Sequence, residues 1–282
     1  MNIKTLFAAA ALLTATAASA EVQYQHVRNA TAKVQYGDSV FLIDPYLVPQ
    51  GSYAGFEGTV NSSQRNPMIA MQPNVKELLK GVQAVIVTHT HADHWDEAAQ
   101  KALPKTLPIF VQNADDAKII RAQGFKDVRV IGNHTEFNKV KLSRIKGGQH
   151  GTDQMYALPQ LAEMLGDEMG VVLQSDKEKT LYIVGDTVWN ASVDDALASF
   201  KPEIVVMNTG YAKLQNMDGS IIMGLDDVGK MAQTAPNADI ITVHMDAVNH
   251  ATVSSNDMRR YVKEKGLGKQ VAVPKEGEVL KY

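Results

Sequence analysis

Six consecutive positions, His89-Thr90-His91-Ala92-Asp93-His94, carry three imidazoles and a carboxylate. No ordinary requirement of a helix, strand or turn concentrates metal-binding side chains this way, so the fold must hold them at one point. The preceding run Ala84-Val85-Ile86-Val87-Thr88 is short, apolar and largely β-branched, and it reads as a buried strand. Residues two apart in an extended chain face the same way, so His89 and His91 can address one ion from the strand's end. Asp93 and His94 follow where the chain turns into a polar helix start, and can address a second ion. Neutral imidazole and carboxylate suit zinc and neighbouring divalent metals.

The rest of the chain supplies partners. His150 lies in Gly147-Gly148-Gln149-His150-Gly151, just past the alternating strand expected over Val140 to Ile145. Asp186 follows the apolar run Tyr182-Ile183-Val184, and His244 ends Ile240-Ile241-Thr242-Val243. A lone Asp after a strand is ordinarily a helix cap. Four strand-end sites in one chain, counting the cluster as one, point instead to a centre built on rigid elements.

These pieces resemble the metallo-β-lactamase-fold hydrolases, and most closely the branch of L-ascorbate-6-phosphate lactonase-like, metal-dependent hydrolases. The matching segments are Leu42-Ile43-Asp44-Pro45, His89 to His94, Gly148-Gln149-His150, Gly185-Asp186-Thr187, Asn208-Thr209-Gly210 and His244-Met245-Asp246, in the family's order. The resemblance implies an αββα sandwich of two mixed sheets flanked by helices. It implies two divalent ions, zinc first and manganese or iron next. His89, His91 and His150 would hold one ion and Asp93, His94 and His244 the other, with Asp186 bridging and Asp44 supporting the ligand loop. It also implies hydrolysis by a hydroxide shared between the ions, with Asp93 handling the proton. The chain departs from the family at Trp95-Asp96-Glu97, where many members carry a Gly pair. That departure points away from the glyoxalase-like and true β-lactamase branches. The last ligand is His244 or the nearby His250; His244 ends a strand, which would leave His250 to line the substrate pocket.

The N-terminus reads as a secretory signal peptide over residues 1–20. Lys4 gives it a positive start, Leu6 to Ala18 is apolar, and Ala18-Ser19-Ala20 is a small-residue cleavage site. The hydrolase domain is then residues 21–282, periplasmic or secreted. The chain has no Cys, so any metal site must use His and carboxylates. A net charge of -3 with no long Lys or Arg run argues against nucleic acid as a partner. No second apolar stretch suggests a membrane span, and the expected partner is a small-molecule substrate.

Strand-like runs alternate with helix-like runs along residues 21–282, which supports two sheets with helices outside. Pro49 to Pro73 is long and rich in Gly, Ser, Asn and Pro, as binding loops often are. Thr152 to Met169 carries Met155, Tyr156, Leu158, Leu161 and Met164, which serve either a core-facing helix turn or a substrate pocket. Tyr211 is a further pocket candidate. His26 and His134 have no metal-binding neighbours in sequence and read as surface or capping groups. The functional reading is a dinuclear hydrolase of a small ester, lactone, amide or phosphoester. The alternatives are iron-dependent redox chemistry, a non-catalytic periplasmic metal-binding protein and a β-lactam hydrolase.

Overall fold

The computed structural model describes residues 21–132 and 134–282; the expected signal peptide lies outside them. The chain opens with an antiparallel meander, β1 (Gln23–Arg28), β2 (Thr31–Tyr36) and β3 (Ser39–Ile43). A long irregular segment and α1 (Val75–Leu78) lead to β4 (Ala84–Val87). Then come α2 (Glu97–Ala102), β5 (Ile109–Val111), α3 (Ala114–Ala122) and β6 (Val128–Val130). The second half starts with β7 (Thr135–Phe137), β8 (Val140–Gly148), α4 (Asp153–Tyr156) and α5 (Pro159–Leu165). It continues through β9 (Glu168–Gln174), β10 (Leu181–Ile183), α6 (Ala191–Phe200), β11 (Ile204–Asn208) and α7 (Leu225–Thr234). The last elements are β12 (Asp239–Val243), α8 (Ser255–Glu264), β13 (Val271–Ala272) and β14 (Val279–Lys281).

Two mixed sheets result, in the orders β14-β1-β2-β3-β4-β5-β6 and β13-β12-β11-β10-β9-β8-β7. Each changes from antiparallel to parallel pairing once, at β3–β4 in the first sheet and at β10–β11 in the second. The central parallel strands β4, β5 and β11 are buried at every position, as strands covered on both faces are. Val34, Phe41, Ile86 and Phe110 of the first sheet meet Leu142, Leu173, Ile204 and Ile241 of the second in the inner layer. Val85 and Val87 face outward onto Ala117 and Ile120 of α3. Val205 and Ile240 do the same toward Val193 of α6, Met231 of α7 and Met258 of α8. This is the αββα sandwich expected. Truncating an inner-layer residue such as Ile86 to Ala would cost about 2–5 kcal/mol, because close-packed neighbours cannot collapse into the gap.

Local sequence explains where helices start. Asn74, Asp96, Asn113, Asn190 and Ser254 each cap a helix with a side-chain oxygen. Trp95-Asp96, the departure from the family's Gly pair, belongs to this logic. Asp96 caps α2, and its other oxygen accepts from the amides of Leu47 and Val48 at 3.0 and 2.7 Å. Trp95 packs beside Phe125 and donates to Gln123 at 2.8 Å. Among the histidines, His134 is exposed as expected. His26 is not a surface group: it is 5% exposed, because β1 is paired on both sides by β2 and β14.

Candidate metal centre

Every ligand candidate lies just beyond a strand's C-terminal end. Asp44 follows β3, the His cluster follows β4, His150 follows β8, Asp186 follows β10 and His244 follows β12. The structure brings these ends together from both sheets. Donor atoms of His89, His91 and His150 lie within 4.8 Å of one another; so do those of His89, His94 and Asp186, and those of Asp93, His94 and His244. His94 Nε2 is 3.1 Å from His244 Nε2 and 3.2 Å from Asp186 Oδ2. His244 Nε2 is 3.3 Å from Asp93 Oδ2 and 3.4 Å from Asp186 Oδ2, and His150 Nε2 is 3.9 Å from that Asp186 oxygen. Asp186 therefore faces both triads.

The outer partners orient the rings. Asp44 Oδ2 accepts from His94 Nδ1 at 2.9 Å, which frees His94 Nε2 to point at the centre. Asp44 also accepts from the Thr88 amide and hydroxyl, at 2.7 and 2.8 Å, so the loop after β4 hangs on this carboxylate. Thr88 Oγ1 lies 3.0 Å from His89 Nδ1, leaving His89 Nε2 buried and unpartnered. A carbonyl only accepts, so His91 Nε2 donates to Met164 O at 3.2 Å and keeps Nδ1 free.

Three further residues shape this shell: Asn208 lies in a segment the resemblance matched and Tyr156 in the segment after His150, while Asn29 carries no sequence signal, and the role of each is set by its tertiary placement. Asn29, in the β1–β2 turn, donates to Asp93 O and Oδ2 at 3.1 and 3.2 Å and lies 3.2 Å from His244 Nε2. Asn208 donates to Asp186 Oδ1 at 2.6 Å. Tyr156 accepts from the His150 amide at 3.2 Å and donates to Gly166 O at 2.7 Å. A turn Asn or a helix Tyr is common anywhere, so only tertiary placement reveals them.

Charge in the centre is set by competition. Burial lowers the His89 and His150 pKa values, and neighbouring imidazoles lower them further, His150 to about 3. Both rings keep open lone pairs. Burial also opposes charge on His94 and His244, but Asp186 and Asp93 outweigh it; His94 rises well above its ordinary value and His244 to about 9. Burial would likewise raise Asp93 and Asp186, yet His94 and His244 hold both carboxyls well below the usual range. Two ionised carboxylates thus draw protons onto the imidazoles between them, the position of a cation. The donor set fits divalent metal: neutral imidazoles with buried, unpartnered nitrogens on His89 and His150, beside paired carboxylates.

A cavity of about 230 Å³ opens beside His91 and Asp93. Phe56 comes from the long segment before α1, Met164 and Leu165 from α5, and Leu214 and Ile221 from the segment after β11. The two segments singled out in the sequence both reach it. In the α4–α5 segment both readings hold, since Met155 and Leu165 also sit in a small core. His250 lines the cavity too, with Phe56 edge-on at 5.2 Å. Tyr211 does not line it; its ring lies against Gly224, where an added Cβ would come within 2.5 Å. A larger hollow of about 480 Å³, lined by Leu197 and Pro236, offers no comparable set of donors among the described residues.

Comparison with known proteins shows the family. Residues 41–245 match the model of the Beta-lactamase superfamily domain. The UPF0173 protein YddR of Bacillus subtilis is 42% identical over 252 residues, covering 89% of this chain and 96% of that protein. A possible metal-dependent hydrolase from Veillonella parvula superposes with a TM-score of 0.91 at 49% identity, covering 93% of this chain and 99% of that one. An isothiocyanate hydrolase from Delia radicum gut bacteria superposes with a TM-score of 0.88 at 41% identity, covering 92% and 99%. Fold, donor set and relatives together place this chain in the metallo-β-lactamase superfamily, within its UPF0173 family of metal-dependent hydrolases.

Proposed function

We propose that the protein is a dinuclear metallohydrolase that cleaves an uncharged small molecule at an electrophilic carbon. The observation carrying this reading is the convergence of two donor triads, joined through Asp186, on a cavity walled by Phe56, Met164, Leu165, Leu214 and Ile221. His89, His91 and His150 would hold one ion, and Asp93, His94 and His244 the other. Asp186 would bridge them. Zinc is the first expectation, and the carboxylates also admit manganese or iron. When bound, the ions supply polarisation of the electrophile and acidification of water.

The chain's own residues supply the rest. Asp93 lines the cavity, so its carboxylate is placed to orient a water bound there or accept its proton. Asn29 fixes that carboxylate's position. Burial pulls the His250 pKa down to about 4, so a neutral imidazole faces the substrate and can orient a polar atom. The apolar walls exclude water around the organic group.

Among the described residues no Lys or Arg lines the cavity, and Glu57 does. Apart from the ions themselves, a phosphoryl group would meet no protein cation there and would face Glu57, which favours an ester, lactone or amide. A second reading has its own support. The 41%-identical neighbour is an isothiocyanate hydrolase, and an isothiocyanate also presents an uncharged electrophilic carbon on an apolar substituent. We also propose export with cleavage after Ala20, supported by the charged start, apolar run and small-residue site. Mass spectrometry of exported protein should then find Glu21 first; an intact Met1 would refute the cleavage.

The test is a hydrolysis panel on metal-verified protein: an aryl ester, a lactone, a phosphodiester, a chromogenic β-lactam and an arylalkyl isothiocyanate. Multiple turnovers are expected on an uncharged member, with about two ions per chain. Asp93→Asn should lower turnover roughly 10²–10⁴-fold while retaining more metal than His91→Ala. His244→Ala should lose metal and His250→Ala should not. A stoichiometry that never exceeds one, or full activity in Asp93→Asn with both ions bound, would overturn the mechanism. Metal binding without turnover of any member would favour a non-catalytic role.

A further inference from the structure

We infer that Asn249 sets the width of the substrate cavity by pinning residues 53–66 against His250, and so acts as a positioning residue for substrate selection. This rests on the cavity beside the metal centre being the substrate site.

The segment between β3 and α1 contains the short helix-free stretch 53–66, tied by the isolated bridges Tyr53–Asn66 and Thr59–Leu214 and by backbone bonds such as Gln215 N to Gly58 O at 2.8 Å, with no regular strand among them. Asn249 supplies a further anchor. Its side chain is fully buried and uses its whole hydrogen-bonding capacity. Oδ1 accepts from the Phe56 amide at 3.0 Å and from Asn66 Nδ2 at 2.8 Å. Nδ2 donates to Thr59 Oγ1 and Val60 O, both at 2.8 Å. The backbone completes the attachment: Asn249 N donates to Asn66 Oδ1 at 2.8 Å, and Asn249 O accepts from Asn61 Nδ2 at 3.3 Å. The buried Asn66 side chain thus donates to the Asn249 side chain and accepts from the Asn249 backbone amide.

The product of this attachment is a wall. Phe56, held by its own amide, presents its ring edge-on to His250, the residue after Asn249. Both rings face the cavity. None of Asn249's hydrogen bonds runs to His244, Asp93 or Asp186. The position of the wall is therefore separable from the metal donors. The Asn249 side chain fixes the Phe56 amide relative to the residue that precedes His250.

The experiment uses metal-loaded protein carrying Asn249→Ala, Asn249→Asp or Phe56→Ala. It compares 4-nitrophenyl acetate with 4-nitrophenyl phenylacetate, and follows amide exchange of peptides spanning residues 50–66. Losing the side-chain bonds should raise exchange at the Phe56 amide about tenfold or more, with metal content unchanged. KM for the phenylacetate should rise about tenfold, while kcat for both esters and KM for the acetate stay within about threefold. Asn249→Asp keeps the acceptor for Phe56 but loses both donors, so it should fall between wild type and Asn249→Ala. Phe56→Ala keeps the attachment and removes the wall, so it should reproduce the KM change without the exchange change. If Asn249→Ala does not fold, the other two variants decide. Metal loss, an equal fall of kcat on both esters, or unchanged exchange in the Asn249 variants would overturn the inference. If wild type turned over neither ester, the proposed substrate class would fail, and the exchange and metal measurements would still test the role of Asn249.

Discussion

Whether a buried imidazole in this molecule carries charge follows from its distance to a carboxylate. Burial is common to His26, His89, His94, His150, His244 and His250. Only His94 and His244, packed between Asp93 and Asp186, are pushed up in pKa. His26 shows the opposite case. Burial, helped by His244, pulls it down to about 4 from an ordinary 6.5, and its Nδ1 has no partner. The unfolded chain then binds a proton that the folded one refuses between those values. The contribution of His26 is complete above pH 6.5 and is lost as pH falls toward 4, by about 1.4 kcal/mol per unit. Denaturant midpoints measured at pH 7 and pH 5 should therefore differ less for His26→Leu than for wild type; identical differences would contradict this. At this scale the sequence spoke clearly where residues were clustered and poorly where they were single. The His89 to His94 run announced itself, whereas His26 looked like surface because strand pairing with β14 cannot be read locally. Tyr211 was misjudged for the same reason: its side-chain direction depends on Gly224.

The β8–β9–β10 ribbon carries two ligand candidates, His150 and Asp186, each close after a glycine, Gly148 and Gly185. Glu168, at the start of β9, explains why. A Cβ added to Gly148 would come within 1.3 Å of Glu168 Oε1, and one added to Gly185 within 2.3 Å of Oε2. One carboxyl fills the space of two missing side chains. It is 2% exposed with no hydrogen-bond partner for either oxygen among the described residues, and burial, reinforced by Asp186 and Asp44, pushes its pKa well above the ordinary value. Gly148→Ala should destabilise the protein by about 1–3 kcal/mol through overpacking. In a Glu168→Ala background the same change should cost much less, so a double-mutant cycle by chemical denaturation should show coupling. Strict additivity would mean that the side chain moves aside freely. Elements rich in β-branched residues, such as β4 and β12, were legible to within about a residue or two. The two- and three-residue edge strands β13, β14 and β7 were not, because a period of two needs more residues than they contain.

For the whole molecule, the centre is a clasp between sheets. The cluster after β4 belongs to the first sheet, and His150, Asp186 and His244 belong to the second. Metal bound there stabilises only the state in which both sheets are docked. Chelation of a site held at a thousand times its Kd should remove about 4 kcal/mol, lowering Tm by roughly 8–16 °C for a domain of this size. Calorimetry with and without chelator checks this; an unchanged Tm would mean that the ligands do not tie the sheets. The two-sheet architecture was legible from alternating strand and helix patterns, but the pairing of β1 with β14 was not, since nothing local encodes a contact across the length of the chain. That pairing has a consequence for the order of events during synthesis. The strand made first finds its outer neighbour only when the last residues arrive, and the donors emerge in sequence: four by residue 94, then those at 150, 186 and 244. A growing chain therefore displays an incomplete, exposed set of imidazoles long before its cage can close.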